Sequence, residues 1–114
     1  MIEPGTIVLF RFPHSDLQGA KLRPAVLLKQ VPNEYGDWFV AMVSAQLHQQ
    51  IEGLEIVIEE DDPAFSATGL KKSSLIRTSR LAVVDAGIFV GRIGRLDKEK
   101  LSEVLTGLTN WLKE

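Results

Sequence analysis

The sequence predicts a mostly β fold: five to seven short strands forming a small barrel, with one helix at the C-terminus. Three observations carry this expectation. Short runs rich in β-branched and aromatic residues recur along the chain, separated by Gly, Pro, Asn and Asp. Glycines stand inside the last of those runs, "IFVGRIG", as they do where a small barrel bends or two backbones meet. Only the final stretch changes to a helical period.

In chain order, "TIVLFRF" (6–12) is the first strand, apolar on both faces until Arg11. "PAVLLKQ" (24–30) follows a loop, and "WFVAMVS" (38–44) follows the turn signal "PNEYGD". "LEIVI" (54–58) alternates, which puts Leu54, Ile56 and Ile58 on one face. "SLIRTSRLAVV" (74–84) reads as one bent strand or two, and "IFVGRIG" (88–94) as the last. The acidic run Glu59 to Asp62 reads as a solvated turn, with Asp62 capping a short helix from Pro63. The long helix starts at Asp97, a good N-cap, with Leu96 placed to staple onto Leu101. Leu101, Val104, Leu105, Leu108, Trp111 and Leu112 then share one stripe, and Gly107 weakens the helix slightly.

A chain of 114 residues with 45% apolar and 25% charged side chains reads as one globular domain over 1–114. Without cysteine it has no disulfide framework, thiolate nucleophile or zinc–thiolate site. No basic leader and no apolar run of ~20 residues is present, so no membrane association and a cytoplasmic location are expected. The net charge of −2 conceals segregation. Residues 31–70 hold eight acidic side chains and no Lys or Arg, whereas residues 71–100 hold eight basic and three acidic ones. Folded onto one side with Arg11, Lys21, Arg23 and Lys29, the basic segment forms a face able to attract a polyanion.

No zinc spacing, paired-carboxylate pattern, phosphate loop or serine-hydrolase elbow occurs, and neither a metal nor a cofactor is expected. His14 and His48 each stand alone in sequence. Arg23 is distinguished by its neighbour. Pro24 holds the preceding residue in extended geometry, so the guanidinium leaves a rigid strand end. That mounting suits bidentate contact with a phosphate, and equally a salt bridge at a strand end.

The stretch "PGTIVLFRFPHSDLQGAKLRPAVLL" resembles the N-terminal signature of the MazF/PemK family of toxin endoribonucleases. The likeness continues in "FVAMVSAQL", "GLKKSSLIRTSRLAVVD" and "VGRIGRLDKEKLSEVLTGL", covering nearly the whole chain. The resemblance implies an SH3-like barrel, a homodimer and metal-independent cleavage of single-stranded RNA. It also implies inhibition by a cognate antitoxin whose C-terminal segment lies across the RNA site. The family's catalytic arginine corresponds to Arg23, and its catalytic threonine to Ser44, which keeps the hydroxyl and lacks the stiffening methyl. The aromatic residue common in the family's "FP–x–[ST]–D" loop is His14 here, able to stack on a base or to titrate.

RNA carries its own nucleophile, the 2′-OH, so such a protein needs neither a nucleophilic side chain nor a metal. Arg23 is suited to stabilise charge on the phosphate, Ser44 to orient or relay a proton, and His14 to act as acid or base. Lys21, Arg77 and Arg80 are the expected phosphate contacts. The alternatives are a catalytically inactive or gyrase-directed toxin of the same fold, and a non-enzymatic SH3-like interaction module.

Overall fold

The computed structural model describes residues 2–11 and 21–114. These residues form β1 (Thr6–Arg11), β2 (Leu22–Gln30), β3 (Asp37–Ser44), β4 (Ile56–Ile58), β5 (Ser74–Asp85), β6 (Phe89–Arg95) and α1 (Lys98–Leu112). Short 3₁₀ turns lie at Leu47–Gln49, Ser66–Thr68 and Ala86–Ile88. The strands make one antiparallel sheet in the order β4-β5-β3-β2-β1-β6. The mostly β architecture with a C-terminal helix is thus as the sequence predicts. Among the described residues no helix is long and apolar enough to cross a membrane.

The barrel is not closed by strand pairing, because β4 and β6 end the sheet and do not pair with each other. The Ser66–Thr68 turn instead packs directly on β6. Gly69 (φ 73°) approaches so closely that a Cβ there would collide with the Ile93 carbonyl oxygen. A Cβ on Gly94 would collide with the Ala67 and Thr68 backbone. Gly94 therefore marks the close approach expected of it. Gly91 does not, since a Cβ there would meet no atom within 4 Å.

Apolar alternation sets two cores on opposite faces of the sheet. Ile7, Val26, Ala41, Val43, Leu54, Ile58 and Ile76 pack with Leu96, Val104 and Leu108 at the helix. On the other face Val8, Phe10, Ala25, Leu27, Trp38, Val40, Met42 and Val84 form a second cluster, with Phe89 tilted 6.1 Å from Phe10. Fully burying each of the Val, Leu, Ile, Phe and Met side chains among them contributes roughly 1.5–3 kcal/mol.

Several element boundaries differ from the sequence reading. β2 begins at Leu22 rather than Pro24, because Leu22 and Arg23 pair with Arg11 and Phe10 of β1. Pro24 lies outside the β2–β3 register, which starts at Ala25, so its missing donor takes nothing from that ladder. β4 is only Ile56–Ile58, since Leu54 and Glu55 belong to a turn closed onto Ile51. β5 is one strand whose pairing to β3 jumps from Leu81 opposite Ala41 to Arg77 opposite Met42, leaving residues 78–80 as a bulge. Asp62 accepts a hydrogen bond from the Ala64 N–H at 2.8 Å and caps a turn, not a helix at Pro63.

α1 starts as expected, with the Asp97 side chain accepting from the Lys100 N–H at 3.0 Å. Its buried contact is narrower than the predicted stripe. Val104 and Leu108 are buried and Leu101 partly so, while Leu105, Trp111 and Leu112 are exposed. Leu105 and Leu112 point about a quarter turn away from Val104, and Trp111 lies beyond Leu108, where core contact has ended.

Two alanine substitutions with opposite signs check this packing by chemical denaturation. Gly94→Ala should destabilise by about 1–3 kcal/mol, because its methyl meets backbone that has no slack. Gly107→Ala should stabilise by about 0.5–1 kcal/mol through helix propensity, since its Cβ would stand an ordinary 3.5 Å from the Leu54 carbonyl oxygen.

Candidate functional site

Strand register brings together residues that are distant in sequence. Ala25 pairs with Met42 across β2 and β3. Continued by two residues, that register sets Arg23 opposite Ser44, on the face that carries Ala25, Leu27, Val40 and Met42. The second core thus ends in a guanidinium and a hydroxyl. Both line a cavity of about 260 Å³ whose other walls include Met42, Gln46, Gln49, Arg77 and Arg80. They also border a larger hollow of about 550 Å³, with Leu9, Leu22, Leu70 and Ile93 on its apolar side and Lys71 and Lys72 on its basic side.

The Arg23 Nε is buried and has no hydrogen-bond partner among the described residues. A buried donor is unfavourable without an acceptor, and none of the described residues supplies one to this Nε. The Ser44 Oγ accepts from the Gln46 N–H at 3.1 Å, so its own proton remains available for donation into the cavity.

Arg77 has a different environment. Its Nε donates to Glu55 Oε2 at 3.1 Å, its Nη1 to Gln49 Oε1 at 2.7 Å, and its Nη2 to Ser79 Oγ at 3.3 Å. The Glu55 side chain is fully buried. Its Oε1 accepts from the Ile51 N–H at 3.0 Å, and its Oε2 also accepts from the Ser79 N–H at 3.2 Å and the Ser79 hydroxyl at 2.5 Å. Burial works to raise the Glu55 pKa. The hydrogen bonds from Ser79, Ile51 and Arg77 outweigh it and hold the carboxyl below its ordinary value. This network fastens the turn after β3 to the β5 bulge.

Of the residues expected from sequence, Arg23, Ser44, Arg77 and Arg80 share one cavity. Lys21 is exposed just before β2 and lines neither hollow. His14 lies outside the described residues. His48 is exposed on the 3₁₀ turn. The sequence reading missed Glu55, Gln46, Gln49, Lys71 and Lys72. Only the adjacent lysines gave a visible signal, as the start of the basic segment. Among the described residues no group of three or more His, Cys, Asp or Glu is placed to hold a metal ion.

The family model described as PemK-like, MazF-like toxin of type II toxin–antitoxin system matches residues 3–112. No curated protein sequence is significantly similar to the chain. Among solved structures, the fold is similar to that of the Mycobacterium tuberculosis toxin MazF-mt6, with a TM-score of 0.70 at 14% identity, covering 95% of this chain and 96% of that one. It is equally similar, TM-score 0.70 at 10% identity, to an endoribonuclease in complex with its cognate antitoxin from a mycobacterial species, covering 99% and 96%. At such identities the likeness is one of fold.

The depressed Glu55 pKa has a consequence for stability. A carboxyl whose folded pKa lies below its unfolded one adds stability above the unfolded value, and that contribution is lost as pH falls through the folded value. The denaturation midpoint should therefore fall on acidification below the usual carboxylate pKa, and Glu55→Gln should flatten part of that fall. At neutral pH Glu55→Gln should cost about 2–4 kcal/mol, because it leaves Arg77 without its charged partner. Equal pH profiles for parent and variant would remove Glu55 from this role.

Proposed function

Since the chain belongs to the PemK-like, MazF-like toxins of type II toxin–antitoxin systems, we propose that it is a metal-independent, sequence-selective endoribonuclease acting on single-stranded RNA. The observation that carries this reading is the convergence of Arg23 and Ser44 on one cavity, with the Arg23 Nε buried and unpartnered among the described residues.

In the proposed reaction the substrate 2′-oxygen attacks the adjacent phosphorus. The new O2′–P bond forms as the P–O5′ bond breaks, giving a 2′,3′-cyclic phosphate and a free 5′-hydroxyl. Negative charge builds on the non-bridging oxygens, where the Arg23 guanidinium is the donor suited to receive it. The Ser44 proton is available to a phosphate oxygen while its Oγ is held by Gln46. The 2′-OH proton must go to a base and another must reach the leaving O5′. His14 is the proposed group for this proton traffic or for base stacking. Arg80, Lys71 and Lys72, together with Lys21 and Arg77, supply positive charge for the RNA backbone. The same reading makes the protein a homodimer whose RNA site is covered by a cognate antitoxin, and light scattering of the isolated chain tests the dimer.

Mixed-sequence RNA incubated with the purified protein should be cut in excess chelator, leaving 2′,3′-cyclic phosphate ends, and a 2′-deoxy residue at the cut should block cleavage. Arg23→Ala should lower the rate by about 10²–10³-fold. Arg23→Lys should also be poorly active, because an ammonium does not reproduce the bidentate contact. Ser44→Ala should lose most activity with the fold intact, and Ser44→Thr should match or modestly exceed the parent through its stiffer χ1. Activity abolished by chelator and restored by magnesium would overturn the mechanism. A toxic phenotype indifferent to Arg23 and Ser44 would favour the gyrase-directed alternative.

A further inference from the structure

Two glutamine side chains line the cavity beside Arg23 and Ser44, and their amides are in different situations. An amide ordinarily offers a base edge either its oxygen or its NH₂ group, and can turn to suit. For Gln49 that freedom is removed. Its partner, the Arg77 Nη1 at 2.7 Å, is a donor only, so the atom facing it must be the amide oxygen. A flip would set NH₂ against NH₂.

Arg77 cannot readily turn away, because its Nε and Nη2 are held by Glu55 and Ser79, with only 12% of its side chain exposed. The backbone of Gln49 is fixed as well. Its N–H donates to the Gln46 carbonyl at 3.0 Å, and the neighbouring Gln50 Nε2 donates to the Glu55 carbonyl at 2.9 Å. The Gln49 Nε2 has no hydrogen-bond partner among the described residues. The Gln46 side chain has no such tie among the described residues and can present either end of its amide. The arginines and lysines around it contact phosphate alike in every sequence.

We propose that Gln49 is a specificity-determining residue, a donor-only reader that favours a keto base (uracil or guanine) over an amino base (cytosine or adenine) at one position of the bound strand. Uracil and guanine carry a carbonyl at the edge where cytosine and adenine carry an amino group. The fixed NH₂ of Gln49 can satisfy the first and meets the second donor to donor. This inference rests on the reading of the cavity as an RNA site, and it names which residue there discriminates bases.

The test has two arms. In the first, new RNA ends are mapped for the parent, Gln49→Glu and Gln49→Ala. The parent should show a keto preference of about fivefold at one position relative to the cut, the size of one neutral hydrogen bond. Gln49→Ala should erase that preference alone, and Gln49→Glu, whose carboxylate only accepts, should reverse it towards amino bases. In the second arm, uncleavable 2′-O-methyl oligo-U and oligo-C are compared by fluorescence anisotropy. These differ in keto against amino character while offering similar stacking. The parent should prefer oligo-U, and Gln49→Glu should prefer oligo-C. Cleavage with the same base preferences in all three proteins, or equal binding of the two oligomers by the parent, overturns the assignment while leaving the nuclease reading standing. Discriminating binding that reverses in Gln49→Glu, without any cleavage by the parent, supports the assignment and overturns the nuclease reading.

Discussion

One buried carboxylate organises the site wall. Glu55 has no exposed side-chain surface, and an unpaired charge there would cost several kcal/mol. The chain meets that cost with hydrogen bonds from Ile51, Arg77 and Ser79, the last from both its backbone and its hydroxyl. Those donors come from two separate segments, the turn that follows β3 and the bulge in β5. Satisfying the carboxylate therefore means joining them. Gln49 then reaches Arg77, and Arg80 stands on the bulge beside it. Without the bulge, the strand pairing beyond Ala41 would continue in register and residues 78–80, of which Arg80 lines the cavity, would be drawn into the ladder with β3.

The opposite wall depends on a second constraint, the backbone contact at the open seam. Gly69 and Gly94 let the Ser66–Thr68 turn lie against β6 without side chains between them. Thr68 stabilises that turn by donating to the Phe65 carbonyl and accepting from the Leu70 N–H. Lys71 and Lys72 follow at once and are thereby carried to the hollow that also touches Arg23 and Ser44. Of the basic segment visible in the linear sequence, Arg77 and Arg80 reach the smaller cavity on β5, and Lys71 and Lys72 reach the larger hollow after this turn.

The parts legible in the sequence are those governed by local rules. Asp97 caps the helix as its position foretells, because capping is decided within a few residues. Arg23 is conspicuous because Pro24 constrains its backbone, whereas Ser44 is picked out only by the family resemblance. Glu55 is hidden by the same kind of rule. The alternation of "LEIVI" assigns it to a solvent face, and the donors of Ile51, Arg77 and Ser79, distant or out of pattern, make its burial tolerable. The apolar stripe of α1 overextends for a similar reason. Helical spacing gives a direction for each side chain but not where the core contact beneath it stops, so Trp111 is half exposed although it lies on the line of Val104.

The two arginines in the smaller cavity show why position in a cavity is less informative than hydrogen-bond satisfaction. Arg77 has each of its three nitrogens engaged by protein acceptors, one of them a carboxylate. Its charge is answered in part within the fold, by the Glu55 carboxylate, and it holds the oxygen of the Gln49 amide. Arg23 has a buried Nε that no described residue meets. An unpaired donor there is costly, because the low local dielectric that strengthens a hydrogen bond also raises the penalty for leaving one unmade. Sequence alone treats both as basic residues suited to an anion. The hydrogen bonds separate them: Arg77 is held by protein acceptors, and the Arg23 Nε by none among the described residues.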